Sequence, residues 1–146
     1  MIIKYDNFVT CLNALEQADF NKAFRDEIYR MGLLCKFDQT FELACKALQA
    51  VLRADKVDGA EIATPRKIVK LACSNGYIAD TYSWKLMMEK KSENIYFCDD
   101  EVKTEFVFMI RDCFVSTFKK LAVKLRDSVG LINSDSDSEF VGKQLH

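Results

Sequence analysis

The stretch GLLCKFDQTFELACKALQAVLRAD, residues 32–55, decides the fold class. Leu34, Phe37, Phe41, Ala44, Leu48 and Val51 recur in it at spacings of three or four. That period places them on one side of an α-helix, whereas a strand would alternate apolar and polar residues. At about 1.5 Å per residue the buried stripe is about 25 Å long. The stripe ends at DKVDG, where charged residues and Gly59 mark a loop.

The same reading extends outward in both directions. In YDNFVTCLNALEQA, Phe8, Cys11, Leu12 and Leu15 keep helical spacing, with Asp6 or Asn7 as the expected N-cap. NKAFRDEIYRM, residues 21–31, either continues that helix or forms a short turn of its own. A third helix opens at Thr64-Pro65, where threonine caps and proline takes the first helical position, and it stops at Gly76. A fourth starts near Asp80–Ser83 and carries Trp84, Met87 and Met88, a group read as core. A fifth starts at the acidic Asp99-Asp100-Glu101.

The fifth segment has Phe106, Met109 or Ile110, Cys113 or Phe114, Phe118 or Thr117, Leu121 and Leu125 on a wide apolar face. Its width calls for more than one neighbour, a second subunit among them. The expected architecture is all-α: an antiparallel bundle of about five helices with a four-helix up-and-down core, dimeric. Residues 1–132 form one domain, and 133–146, NSDSDSEFVGKQLH, form an acidic, serine-rich flexible tail.

Composition agrees with helices. Apolar residues make up 49% of 146, enough for one core. One proline and five glycines leave too little turn chemistry for a sandwich or barrel. With 21 basic and 22 acidic residues, nothing demands a nucleic-acid partner. The start, MIIKYDNF, lacks the pattern of a signal peptide, and no apolar run is long enough for a membrane span. Cysteines 11, 35, 45, 73, 98 and 113 form no Cys-x-x-Cys pair, and the only histidine is His146. No metal site and no cofactor are therefore expected, and the cysteines read as small buried thiols in a reducing cytoplasm.

Three segments taken in order resemble a known family. They are KFDQTFELACKALQAVL, with Phe37, Asp38, Thr40, Glu42, Leu43 and Lys46; TPRKIVKLACSNGYIAD, with Pro65, Ile68, Ala72, Gly76, Ile78 and Asp80; and WKLMMEKK, with Trp84 and Met88. Together they resemble the nucleotidyltransferase substrate-binding proteins, a branch of the HEPN superfamily, over about Met31 to Leu125. The resemblance implies a helical bundle that forms a homodimer and binds a separate small nucleotidyltransferase chain. Many such pairs are of toxin–antitoxin type, in which the helical protein is a metal-independent ribonuclease.

Active relatives carry Arg-Asn, then a histidine, then often a tyrosine. Counted without gaps from Trp84, those positions fall on Lys91, Ser92, Tyr96 and Cys98, and all four depart from the pattern. Histidine suits RNA cleavage because its pKa lies near neutrality. A tyrosine would have to fall by about 3 units, about 4 kcal/mol, to act as a base. No catalytic residue is therefore expected. The resemblance implies a non-catalytic substrate-binding or partner subunit, with a ribonuclease of altered active site as the alternative. A neighbouring tyrosine can be nucleotidylated in relatives, but Tyr96 stands two places early for that.

The candidate binding residues are Lys91, Tyr96, Glu42, Lys46, Arg66 and Lys67, with a nucleotide or RNA as the ligand class. Arg66 and Lys67 sit at a helix N-terminus that could hold a phosphate, against the plainer reading of a solvated face. Glu42 and Lys46, spaced i, i+4, are placed to pair with each other.

Overall fold

The computed structural model describes residues 2–61 and 64–139. The chain order is α1 (Ile2–Glu16), α2 (Phe20–Arg25), α3 (Glu27–Ala54), α4 (Pro65–Ser74), α5 (Thr81–Ser92), a 3₁₀ turn (Ile95–Phe97), α6 (Asp100–Met109), a π-helical turn (Ile110–Phe114) and α7 (Val115–Glu139). No strand occurs among the described residues. The backbone stays helical from α6 through the π turn into α7, so these three run as one long helix. Among the described residues no helix is long and apolar enough to cross a membrane.

The bundle is organised by α3, which touches α1, α2, α4, α6 and α7. Its apolar stripe is buried as its spacing requires: Leu34, Phe37, Phe41, Ala44, Leu48 and Val51 are each no more than 1% exposed. Phe37 lies at the centre of an aromatic cluster. Its ring centroid stands 5.1 Å from Phe106, 5.5 Å from Phe114 and 5.9 Å from Phe118. Trp84 of α5 joins the cluster at 5.9 Å from Phe41 and 5.8 Å from Phe118. Such offset and edge-on pairs add about 0.5–1.5 kcal/mol each beyond the area they bury.

Caps place most helix ends. Thr64 accepts a hydrogen bond from the Lys67 N–H, Asp80 from Ser83 and Asp99 from Val102. Gly59 and Gly76 take positive φ, 88° and 82°, within the two connections expected to turn there.

Several expectations are corrected. The first helix is already formed at Ile2, so Asp6 and Asn7 lie inside it and cap nothing. NKAFRDEIYRM splits: Asp19 caps the short α2, and Asp26 accepts from the Tyr29 N–H to start α3 five residues before Gly32. Of the six cysteines only Cys11 and Cys45 are buried, while Cys35 is exposed.

The wide face of the last helix needs no second subunit. Phe106, Val107, Ile110, Phe114, Phe118, Leu121 and Leu125 are all buried within this one chain. Four of them follow at intervals of four, which drifts on a 3.6-residue helix. The wider π turn at Ile110–Phe114 takes up that drift and keeps the side chains on one line. α7 runs to Glu139 and so takes in the first residues of the 133–146 segment; residues 140–146, His146 included, lie outside the described residues.

Candidate binding site on the polar edge of α3

The segment MMEKKSENIYF, residues 87–97, is built from three pieces. Met87 is fully buried and anchors α5, whose last turn carries Lys90 and Lys91. Glu93 ends the helix, and its backbone N–H bonds to the Glu89 carbonyl. The 3₁₀ turn then buries Ile95 and leaves Phe97 85% exposed. Two buried anchors, Met87 and Ile95, therefore fix the backbone on either side of Lys91 and bring Tyr96 over α3.

On α3, Asp38 and Glu42 are four residues apart and share the edge beside the buried stripe. Tyr96 donates its hydroxyl to Asp38 Oδ2 at 2.5 Å. Lys91 Nζ lies 3.8 Å from Asp38 Oδ1 and 3.6 Å from Glu42 Oε1. The same ammonium stands over the Phe41 ring, 5.6 Å from its centroid. One cation thus sits between two carboxylates, and the cluster carries a net charge of −1 before any ligand arrives.

Protonation follows from that arrangement. Burial, and then the hydrogen bond to Asp38, hold the Tyr96 phenol above its ordinary value. At neutral pH it is a protonated donor with its proton committed to Asp38, so it cannot accept a proton as a base. Beneath the cluster, burial pushes the Cys45 thiol up to about 12 despite the opposing pull of Lys91. Cys45 is therefore a packing group and no nucleophile.

The remaining candidates fall in three places. Lys46 does not complete a pair with Glu42, which turns to Lys91 instead. Glu42 and Lys46 both line a groove of about 440 Å3 between α1 and α3, with Asn7, Thr10, Lys36 and Gln39. Arg66 and Lys67 stand exposed on the first turn of α4, outside the Lys91–Tyr96 cluster. Ser92 turns back to the Glu89 carbonyl at 2.8 Å, and Cys98 to the Asn94 carbonyl at 3.6 Å.

Asp38, which joins the two halves of the cluster, was not among the candidates. Its sequence signals are its place in the KFDQTFELACKALQAVL segment of the resemblance and the i, i+4 relation to Glu42. The partners that give it meaning, Lys91 and Tyr96, are 53 and 58 positions away. No cluster of His, Cys, Asp and Glu suited to a metal ion occurs among the described residues.

The model of the nucleotidyltransferase substrate binding protein like family matches residues 3–127, nearly all of the described bundle. The chain belongs to that family. A comparison with curated protein sequences returned no significant match. The family match runs from α1 into the first half of α7, so both sides of the Lys91–Tyr96 cluster fall within the matched residues.

Proposed function

We propose that this chain is a non-catalytic substrate-binding and docking subunit for a small nucleotidyltransferase carried on a separate chain. The observation that carries the reading is the cluster of Lys91, Asp38, Glu42 and Tyr96, whose groups already pair with one another. Two of its members, Lys91 and Tyr96, stand where a count from Trp84 puts the arginine and the histidine that the resemblance to HEPN ribonucleases implies. An active ribonuclease needs a base and a free cation there. Here the cation is held by two carboxylates and the phenol is a donor to one of them. With a local charge of −1, the cluster repels an RNA phosphate and suits a basic or hydrogen-bonding partner surface.

The subunit acts as a homodimer in the cytoplasm, and the pair is of toxin–antitoxin type. Support for a covered surface comes from Phe97 and Ile28, each 85% exposed, Phe97 directly beside Tyr96. Arg66, Lys67 and Lys46 would then meet substrate or partner from outside the cluster. The test is co-expression of the tagged full chain with the small nucleotidyltransferase of the adjacent reading frame. The two are expected to co-elute through affinity and size-exclusion steps. A chain that elutes free of the enzyme would contradict the reading.

A further inference from the structure

The groove between α1 and α3 continues beyond the part that Glu42 and Lys46 line. A second cavity of about 470 Å3 extends it, and the two share Ala14 and Lys36. From Ile28 to Lys46 the groove follows α3 for about 27 Å, at about 1.5 Å per residue. Its α1 wall is uncharged, with Asn7, Thr10, Ala14 and Gln17 all exposed along it. On the α3 wall, Gly32 is exposed inside a 28-residue helix, and a Cβ added there would meet nothing within 4 Å. Glycine weakens a helix interior, and packing among the described residues gives no reason for it here. Ile28, at the end of the groove, is 85% exposed.

The charges on this groove are one-sided. Lys36 and Lys46 take no carboxylate within ion-pair distance among the described residues. Glu42 is the one carboxylate on the lining, and Lys91 already holds it at 3.6 Å. The groove therefore offers two uncommitted cations beside small, uncharged walls.

We infer that this groove docks an acidic amphipathic helix of a partner chain, with its apolar stripe over Ala14, Gly32 and Ile28 and its carboxylates on Lys36 and Lys46. Both walls are helices whose backbone groups are bonded internally, so an extended peptide would find no backbone partner there. A helix satisfies its own backbone and needs only the groove. Gly32 and Ala14 let its axis come close. Lys36 and Lys46 stand about 15 Å apart along α3, which places the matching acids about three turns apart on the incoming helix. The inference rests on the docking reading above and names the surface and the chemistry of the partner that fits it.

The experiment is fluorescence anisotropy of a labelled synthetic helix titrated with the pure full-length chain at low salt. The helix has about 18 residues, to match the groove at about 1.5 Å per residue, with a leucine stripe flanked by glutamates. A counterpart keeps the leucines and carries lysines in place of the glutamates. The glutamate helix should bind about tenfold more tightly than the lysine helix. Lys36→Gln with Lys46→Gln should weaken the glutamate helix by about tenfold, while Lys85→Gln, exposed on α5, should change it by less than about twofold. Gly32→Leu should weaken both helices, because its side chain fills the groove without meeting this chain. Circular dichroism checks that each variant keeps the fold. No binding of the glutamate helix at millimolar concentration overturns the inference, as does equal affinity for the two helices. Equal losses from Lys85→Gln and the double variant overturn it, and so does full binding by Gly32→Leu. A single-stranded RNA that displaces the glutamate helix at equal concentration would overturn it by assigning the lysines to phosphate. A homodimer that Gly32→Leu splits in light scattering would overturn it by giving the groove to a second copy. Failure of nucleotidyltransferase co-elution would leave the peptide readouts unchanged, so the two proposals fail separately.

Discussion

The two long sides of α3 differ in how they hold the molecule. One side is apolar and continuous, with Phe37 and Phe41 packed against aromatic rings from α5, α6, the π turn and α7. The other is polar and discontinuous, and catches Lys91 of α5 and Tyr96 of the 3₁₀ turn, both distant in sequence. The apolar side fixes where the helices go. The polar edge fixes which groups remain chemically free, and at the Lys91 cluster almost none do.

The largest test of that contrast is Phe37→Ala. Phe37 is fully buried and central to four ring contacts, so its loss should cost about 3–5 kcal/mol in urea unfolding. A loss below about 1 kcal/mol would mean that the apolar side does not organise the bundle. Next comes Asp38→Asn, which removes the carboxylate shared by Tyr96 and Lys91. It should cost about 1 kcal/mol, since Asp38 is partly solvated. It should also bring the Tyr96 phenol back toward its ordinary range in a spectrophotometric titration. An unchanged phenol titration would show that Asp38 does not hold Tyr96.

Alkaline unfolding offers a smaller effect whose sign is fixed. Tyr96 and Tyr77 are both raised in the folded state, each by burial first and then by its carboxylate, and Tyr77 is pushed up to about 12. A raised phenol contributes stability that is fully present below its unfolded value, about 10, and lost as pH climbs past that value toward the folded one. Stability should therefore decline above about pH 10. Tyr96→Phe should make the decline shallower, and a steeper one would contradict the assignment. Glu42→Gln should have the smallest effect, under about 0.5 kcal/mol, because Glu42 is 64% exposed where it meets Lys91.

The same contrast explains what could be read from the sequence. The apolar stripe of α3, the caps at Thr64, Asp80 and Asp99, and the stop at Gly76 are local signals. They rest on neighbours within one or two turns, so spacing alone exposes them. The split between α2 and α3 was missed because Asp26 starts a helix inside a run that looks helical throughout. The face on α6 and α7 was read as wider than one chain needs, because a 3.6-residue period cannot foresee the π turn that aligns Phe106, Ile110, Phe114 and Phe118. Lys91, Tyr96 and Glu42 were legible as candidates only through the family resemblance. Asp38 was not, since its partners come from α5 and the 3₁₀ turn and no local pattern announces them.

The most direct test of the closed Lys91–Asp38–Glu42–Tyr96 cluster is incubation of the pure chain with unstructured RNA at neutral pH, beside Tyr96→Phe. Intact RNA in both reactions is the expected result, because the phenol is a committed donor and the lysine a committed cation. Cleavage by the wild-type chain that Tyr96→Phe abolishes would contradict it and identify a ribonuclease with an altered active site.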